Sequence, residues 1–161
     1  MRLTSSSTRS LAALAALLMV ESGCGWGSEA LQRKIAGLSP DRIAGATVEL
    51  RSCDTSSAPI ANETLAELLK RIADLKSAPT IGTREEWSVW RIVRIRTTSD
   101  EYFKISVGTR ASLKGKPIVT LQEDPSGGLG FYAGEAFWSW LSKTPESTSL
   151  DSTPVDLSPC S

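Results

Sequence analysis

The sequence predicts an α+β fold: an antiparallel sheet of about four strands, with a long helix and a short C-terminal helix packed on one face. Two observations carry this. Residues 62–76 hold one apolar stripe at helical spacing, whereas 46–52, 87–98, 102–109 and 117–122 are rich in β-branched, aromatic or alternating apolar residues. The order strand, helix, three strands, helix sets successive strands beside one another, as in an antiparallel sheet with its helices gathered on one side.

The front of the chain reads differently. Residues 1–9 carry Arg2 and Arg9 and no acid, 11–20 (LAALAALLMV) are apolar throughout, and 21–27 are small and mostly polar. A basic start, an apolar run and a small-residue region are the three parts of a secretory signal. Ten helical residues cover about 15 Å, half of a hydrocarbon core of about 30 Å, so the run is too short for a permanent span. The predicted division is a signal at 1–23, a linker with a short helix at 24–45, the α+β domain at 46–143 and a Ser/Thr/Pro-rich tail at 144–161.

Ser22-Gly23-Cys24 resembles the end of a bacterial lipoprotein signal, with Glu21 where that family carries an aliphatic residue three positions before the cysteine. The resemblance implies a lipid on Cys24, a membrane as partner through that anchor, and residence in the cell envelope on its periplasmic or outer surface. Ser28-Glu29-Ala30 offers a second, small-x-small cleavage site, which would give a freely secreted protein.

Within the linker, Leu31, Ile35 and Leu38 share a side of a short helix over 28–38. The first strand, ATVELRS at 46–52, turns Val48 and Leu50 inward, and 54–59 is a loop by composition. In the long helix, Leu65, Leu68, Leu69, Ile72 and Leu75 form the stripe, Asn62 is the expected N-cap, and Pro79 ends it. Residues 126–130 read as a Gly-rich turn and 134–143 as the terminal helix, with Phe137, Trp140 and Leu141 on one face.

There are three cysteines, Cys24, Cys53 and Cys160. Lipidation or removal of Cys24 leaves Cys53 and Cys160 as a pair in an oxidising compartment, where a disulfide is expected. It would close a loop of about 107 residues, worth roughly 4–5 kcal/mol on a chain-entropy account.

The central hairpin permits a register argument. Phe103, Ile105 and Val107 alternate toward the core, so their partners must be apolar. A two-residue loop at Ser99-Asp100 would set Arg96 and Arg94 against the core. A three-residue loop, Ser99-Asp100-Glu101, pairs Ile95 with Ile105 and Val93 with Val107. The opposite face then pairs Trp90 with Arg110, Arg94 with Ser106, Arg96 with Lys104 and Thr98 with Tyr102. This is a basic strip with aromatic ends, and Arg96 beside Lys104 is a like-charge pair. It is either an ordinary solvated face or a site for phosphate headgroups, an anionic polymer such as an acidic polysaccharide, or an acidic protein. The acids Glu146, Asp151 and Asp156 of the tail are a third candidate cover.

Other function classes are narrowed by composition. There is no histidine, which removes the commonest general base and the commonest metal ligand. Eighteen bases balance eighteen acids, and a start at Cys24 leaves one acid in excess, against generic nucleic-acid binding. No cofactor or metal site and no catalytic residue is predicted. Glu85-Glu86 and Asp100-Glu101 are adjacent acids that diverge on a strand, and SGGLG at 126–130 lacks the Gly-Lys-Ser/Thr ending of a phosphate loop. Trp138 and Trp140 lie about 200° apart on a helix, so one indole is expected off the core, where Phe131, Tyr132 and Trp138 are a candidate aromatic patch. The expected function is an exported, lipid-anchored envelope protein that binds without catalysis. The alternative is a small secreted hydrolase working through carboxylates.

Overall fold

The computed structural model describes residues 26–50, 56–78, 87–110, 115–125 and 129–151. The fold is α+β. Helix α1 (Trp26–Ala36) leads through a single 3-10 turn (Pro40–Arg42) into strand β1 (Ile43–Leu50). Strand β2 (Ser57–Pro59) and helix α2 (Asn62–Ala73) follow. Strands β3 (Trp87–Thr97), β4 (Tyr102–Arg110), β5 (Ile118–Asp124) and β6 (Leu129–Ala133) run in succession, and the short helices α3 (Glu135–Leu141) and α4 (Pro145–Asp151) close the described chain. The six strands make one antiparallel sheet in the order β2-β1-β3-β4-β5-β6.

All four helices contribute to one core on one side of the sheet. Leu65, Leu68, Leu69 and Ile72 of α2 bury the predicted stripe, meeting Leu31 and Ile35 of α1, Phe137 and Leu141 of α3, and Leu150 of α4. Beneath them lie Val48, Val93, Ile95, Phe103, Ile105, Val107, Val119 and Leu121. Each such aliphatic side chain contributes roughly 1.5–3 kcal/mol of transfer free energy, an upper figure against an extended chain. Gln32 of α1 joins the helices by donating to the carbonyls of Ile72 and Leu75 at 2.8 and 2.9 Å, where α2 runs out of its own donors.

The sheet has six strands where about four were expected. Strand β2 is only three residues long and ends in proline, so it carries no alternating signal. Strand β6 starts on Leu129 and Gly130, the end of the predicted Gly-rich turn, and runs on through 131–133, outside every predicted element. Gly130 is there because α1 crosses it: a Cβ would stand 2.7 Å from the Tyr132 hydroxyl oxygen and 3.0 Å from the Ser28 Cβ. Beyond β6, the segment 76–78 continues the pairing through Ala133 N–H to Lys76 O (2.9 Å) and Ala78 N–H to Phe131 O (3.0 Å).

The expected tail is helical in its first half. In α4, Glu146, Ser147 and Leu150 are buried. Composition alone gave this segment no reason to fold; tertiary contacts supply it. The N-cap of α2 is Ala61 rather than Asn62, with no side-chain cap of its own, and Glu146 Oε1 accepts the Ala61 N–H at 3.0 Å instead.

The hairpin loop lies one residue earlier than predicted, which shifts each cross-strand partner by two and so keeps the predicted parity. Val93 faces Ile105 and Ile95 faces Phe103, so the loop is Thr98-Ser99-Asp100. The reason is local. A three-residue hairpin loop ends on a residue in the left-handed region. Asp100 sits there with φ 60°, a conformation Asp tolerates far better than the Glu101 of the predicted loop. Thr97 then closes the turn, its N–H donating to Glu101 O at 3.0 Å and its hydroxyl oxygen accepting the Glu101 N–H at 3.0 Å.

Candidate functional site

The face of the sheet opposite the helices carries the candidate site. One row crosses all six strands: Pro59, Thr47, Arg94, Lys104, Gln122 and Leu129. A neighbouring row toward the β3–β4 turn holds Gly45, Arg96, Tyr102 and Asp124. On the other side lie Glu49, Ile92, Ser106, Thr120 and Phe131. Ser106, Thr120 and Ile118 are buried, so the open part of the face is the half near the turn. Tyr102 and Leu129, 45 and 50 % exposed, are the large apolar side chains left in solvent among the described residues, and both stand on that half.

The slide of register changes which cations meet. Arg94 is opposite Lys104, and Arg96 is opposite Tyr102. The predicted Arg96–Lys104 and Arg94–Ser106 pairs are therefore replaced. Arg96 is neutralised: Asp100 accepts from its Nε and Nη2 at 3.1 and 2.7 Å, and its guanidinium lies 5.8 Å from the Tyr102 ring centroid. That carboxylate holds the Arg96 guanidinium still more firmly charged than usual. Arg94 gives its Nε to both oxygens of Glu49, at 2.8 and 3.0 Å. Lys104 has no ion-pair partner among the described residues. Two cations thus stand side by side in the row, Arg94 paired to Glu49 and Lys104 with no ion pair among the described residues.

Trp90 leaves the strip. Val89 pairs with Gly108 and Arg91 with Val107, so Trp90 is the extra residue of a β-bulge. Bulges re-aim side chains: Trp90 packs on Trp138 of α3, with centroids 4.9 Å apart. The predicted Trp90–Arg110 pairing is lost for the same reason, since Arg110 pairs with Trp87; the Arg110 side chain lies outside the described groups, as do Cys24, Cys53, Cys160, Glu85, Glu86 and Asp156. The proposed aromatic patch does not assemble. Tyr132 is wholly buried on the helical side and donates to Ser28 O at 2.6 Å, whereas Phe131 faces the other way. Trp138 and Trp140 are both half-buried against the core.

The acids of α4 do not fold over the strip. Asp151 binds Arg91, which is 5 % exposed on the helical face and also donates to Ser147 Oγ at 3.1 Å and Trp90 O at 3.0 Å. Arg91 shares its parity with Val93 and Ile95, a signal that it points inward. The partners Glu49 and Asp100 were legible too, one at an outward position of the neighbouring strand, the other four residues from Arg96.

A second charged cluster lies at the edge of the helical side. Lys34 reaches Glu101 and Glu123 at 2.7 Å each, 5.4 Å above the Phe103 ring. Hydrogen bonding to both acids raises the Lys34 ammonium above its ordinary range, and Lys34 holds the Glu101 carboxyl below its own. Two surface hollows of about 360 and 330 Å³ flank the C-terminal end of α2, the first lined by Arg71, Asp74, Lys76 and Glu135 among others. Among the described residues no three acids or cysteines are grouped to hold a metal ion, and no helix is long and apolar enough to cross a membrane. No family model, curated protein or solved structure matches this chain.

Proposed function

We propose that this chain is an exported, lipid-anchored envelope module that binds an anionic partner through Arg94 and Lys104. The observation that carries the reading is their cross-strand pairing on an open face, with Glu49 engaging Arg94 from the strand on its other side and Lys104 left without an ion pair among the described residues. Like charges directly opposite are unfavourable, and an anion placed over the pair relieves that. The test is retention of the full chain on immobilised dextran sulfate against uncharged dextran. Preferential retention lost in Arg94→Glu/Lys104→Glu is the expected result; equal retention of both proteins, or on both matrices, would sink the idea.

The position of α1 supports an anchor at Cys24. Cleavage after Ala30 would cut inside α1 (Trp26–Ala36) and discard Ser28, the acceptor of the buried Tyr132 hydroxyl. Removal of that acceptor costs about 1–3 kcal/mol if the hydroxyl stays dry. Processing before Cys24 leaves the helix whole. The mass of the mature N-terminus tests this: a Cys24 carrying a diacylglycerol and an amide-linked acyl chain is expected, and a free Leu31 amine overturns it.

The Cys53–Cys160 crosslink is part of the same reading. Asp151, at the end of α4, binds Arg91, whose cross-strand partner is Leu50. Cys53 follows Leu50 by three residues and Cys160 follows Asp151 by nine. Nine residues reach up to about 30 Å, enough to bring the second thiol to the first.

The hydrolase alternative draws on Glu101 and Glu123, which converge on Lys34. A general acid needs a carboxyl raised toward the working pH. Glu101 is shifted the opposite way, so the binding reading is the better supported.

A further inference from the structure

We infer that the hollow where the end of α2 meets β6 and α3 binds a small zwitterion, a free α-amino acid with an aliphatic side chain. Its carboxylate lies toward Arg71 and Lys76, and its ammonium toward Asp74 and Glu135. The hollow shares no lining residue with the Arg94–Lys104 face, and the inference does not depend on the anchored reading above.

The first support is a rigid frame. The hollow holds about 360 Å³, inside the range of roughly 300–1,000 Å³ usual for small-molecule sites. Three parts of the chain wall it, and hydrogen bonds fix each of them. The end of α2 is held by Gln32, which donates to the carbonyls of Ile72 and Leu75. Lys76 O accepts the Ala133 N–H at 2.9 Å, which pins the segment after α2 to β6. Gly134 N–H donates to Pro117 O at 3.0 Å, and a Cβ on Gly134 would stand 2.9 Å from the Ile118 carbonyl carbon. The joint between β6 and α3 is therefore seated directly on the start of β5. A hollow framed in this way does not have to be ordered by its ligand, which removes one cost of binding.

The second support is the charge pattern. Arg71 and Asp74 come from α2 and its cap, Lys76 from the segment beyond, and Glu135 from α3. Among the described residues Asp74, Lys76 and Glu135 form no ion pair, although opposite charges line the same hollow. Arg71 is positioned without being saturated. Its Nε stands 2.8 Å from Glu67 but off the line of a hydrogen bond, and its guanidinium carbon lies 5.1 Å from the Trp140 ring centroid. Two cations and two acids that surround one space without closing on each other suit a ligand that carries both signs. The guanidinium fork and the Lys76 ammonium match a carboxylate, and the two acids match a primary ammonium. Leu75, half-buried, and Phe137, buried, make the apolar part of the wall, which places an aliphatic side chain there. A simple anion would satisfy the cations and leave both acids facing it.

The probe is L-leucine, titrated into the full chain and followed by backbone amide NMR. Leucinamide, which lacks the carboxylate, and isocaproate, which lacks the ammonium, are the paired controls. Saturable shifts at Leu75 and Ala136 are expected with leucine. Each control should bind at least about tenfold more weakly, the effect of losing one hydrogen-bonded charge. Lys76→Met should weaken leucine and isocaproate and spare leucinamide. Glu135→Gln should weaken leucine and leucinamide and spare isocaproate. Both positions are exposed, and damage to the fold would lower all three ligands together rather than sort them by charge. The inference is overturned by the absence of saturable shifts with leucine, or by variants that weaken all three ligands alike. Isocaproate binding as tightly as leucine also overturns it, in favour of a plain anion site, and leucinamide binding as tightly does so in favour of a plain cation site.

Discussion

Glu146 completes a helix to which it does not belong: its Oε1 accepts the backbone N–H of Ala61, the cap residue of α2, at 3.0 Å and eighty-five positions away in sequence. Ala61 has no side-chain acceptor to offer, so α4 supplies one. The other oxygen, Oε2, is buried without a partner among the described residues. Glu146→Ala is expected to cost about 1–2 kcal/mol in urea denaturation. Glu146→Gln keeps an acceptor and should cost less than half of that. Equal losses in both variants would show that charge, not the capping bond, matters.

Arg91 ties the opposite end of α4 to β3. Its guanidinium is buried, yet its acidic partner Asp151 is 56 % exposed. Breaking the pair from the two sides is therefore asymmetric. Asp151→Asn keeps an acceptor for the guanidinium but leaves its buried charge uncompensated, and should cost about 1–2 kcal/mol. Arg91→Ala removes a packed side chain beneath Trp138, 5.9 Å away, and should cost about 2–4 kcal/mol. Arg91→Met, which fills the space without a charge, should fall between them. Thermal midpoints of the three variants check the order.

Lys104 separates binding from folding. Placed opposite Arg94, it contributes repulsion to the sheet. Lys104→Glu converts that to an attractive cross-strand pair and should raise stability by about 0.2–1 kcal/mol. The same change should abolish retention on dextran sulfate. A variant that is less stable as well as non-binding would mean that Lys104 is a structural residue.

The Lys34 cluster predicts a pH dependence. Glu101 titrates below its ordinary 4.5 because Lys34 hydrogen-bonds its charged form. A carboxyl lowered in this way adds stability above its unfolded pKa, and that contribution disappears as pH falls through the folded value. Lys34 titrates above its ordinary 10.5, so its share is complete at neutral pH and fades only in strong alkali. The difference in stability between wild type and Lys34→Met should be flat from pH 6 to 9 and shrink below pH 4.5. A difference that grows on acidification would contradict the pairing.

Much of this is legible in the sequence. The stripe of α2, the alternation of β1 and β4, and the β-branched runs of β3 and β5 report burial directly, and burial is what fixes them. The remainder depended on distant partners. Nothing local turns PESTSLD into a helix; Arg91 and the N-terminus of α2 do. Gly130 reads as a turn residue because a strand seldom wants glycine, but α1 needs the space. The bulge at Trp90 breaks the two-residue period on which facing arguments rely. At the hairpin, face assignment succeeded because parity is set by burial. Register failed because it is set by the turn, where Asp100 rather than Glu101 accepts the left-handed backbone.

The borders of the sheet have a further consequence. On one side β2 is three residues long and stops at Pro59; on the other, Lys76 and Ala78 already occupy hydrogen-bonding positions along β6. Unpaired strand borders are templates for aggregation, and short or proline-ended ones are poor templates. Copies crowded together in two dimensions would meet with their borders closed, and should remain separate molecules instead of zipping into a continuous sheet.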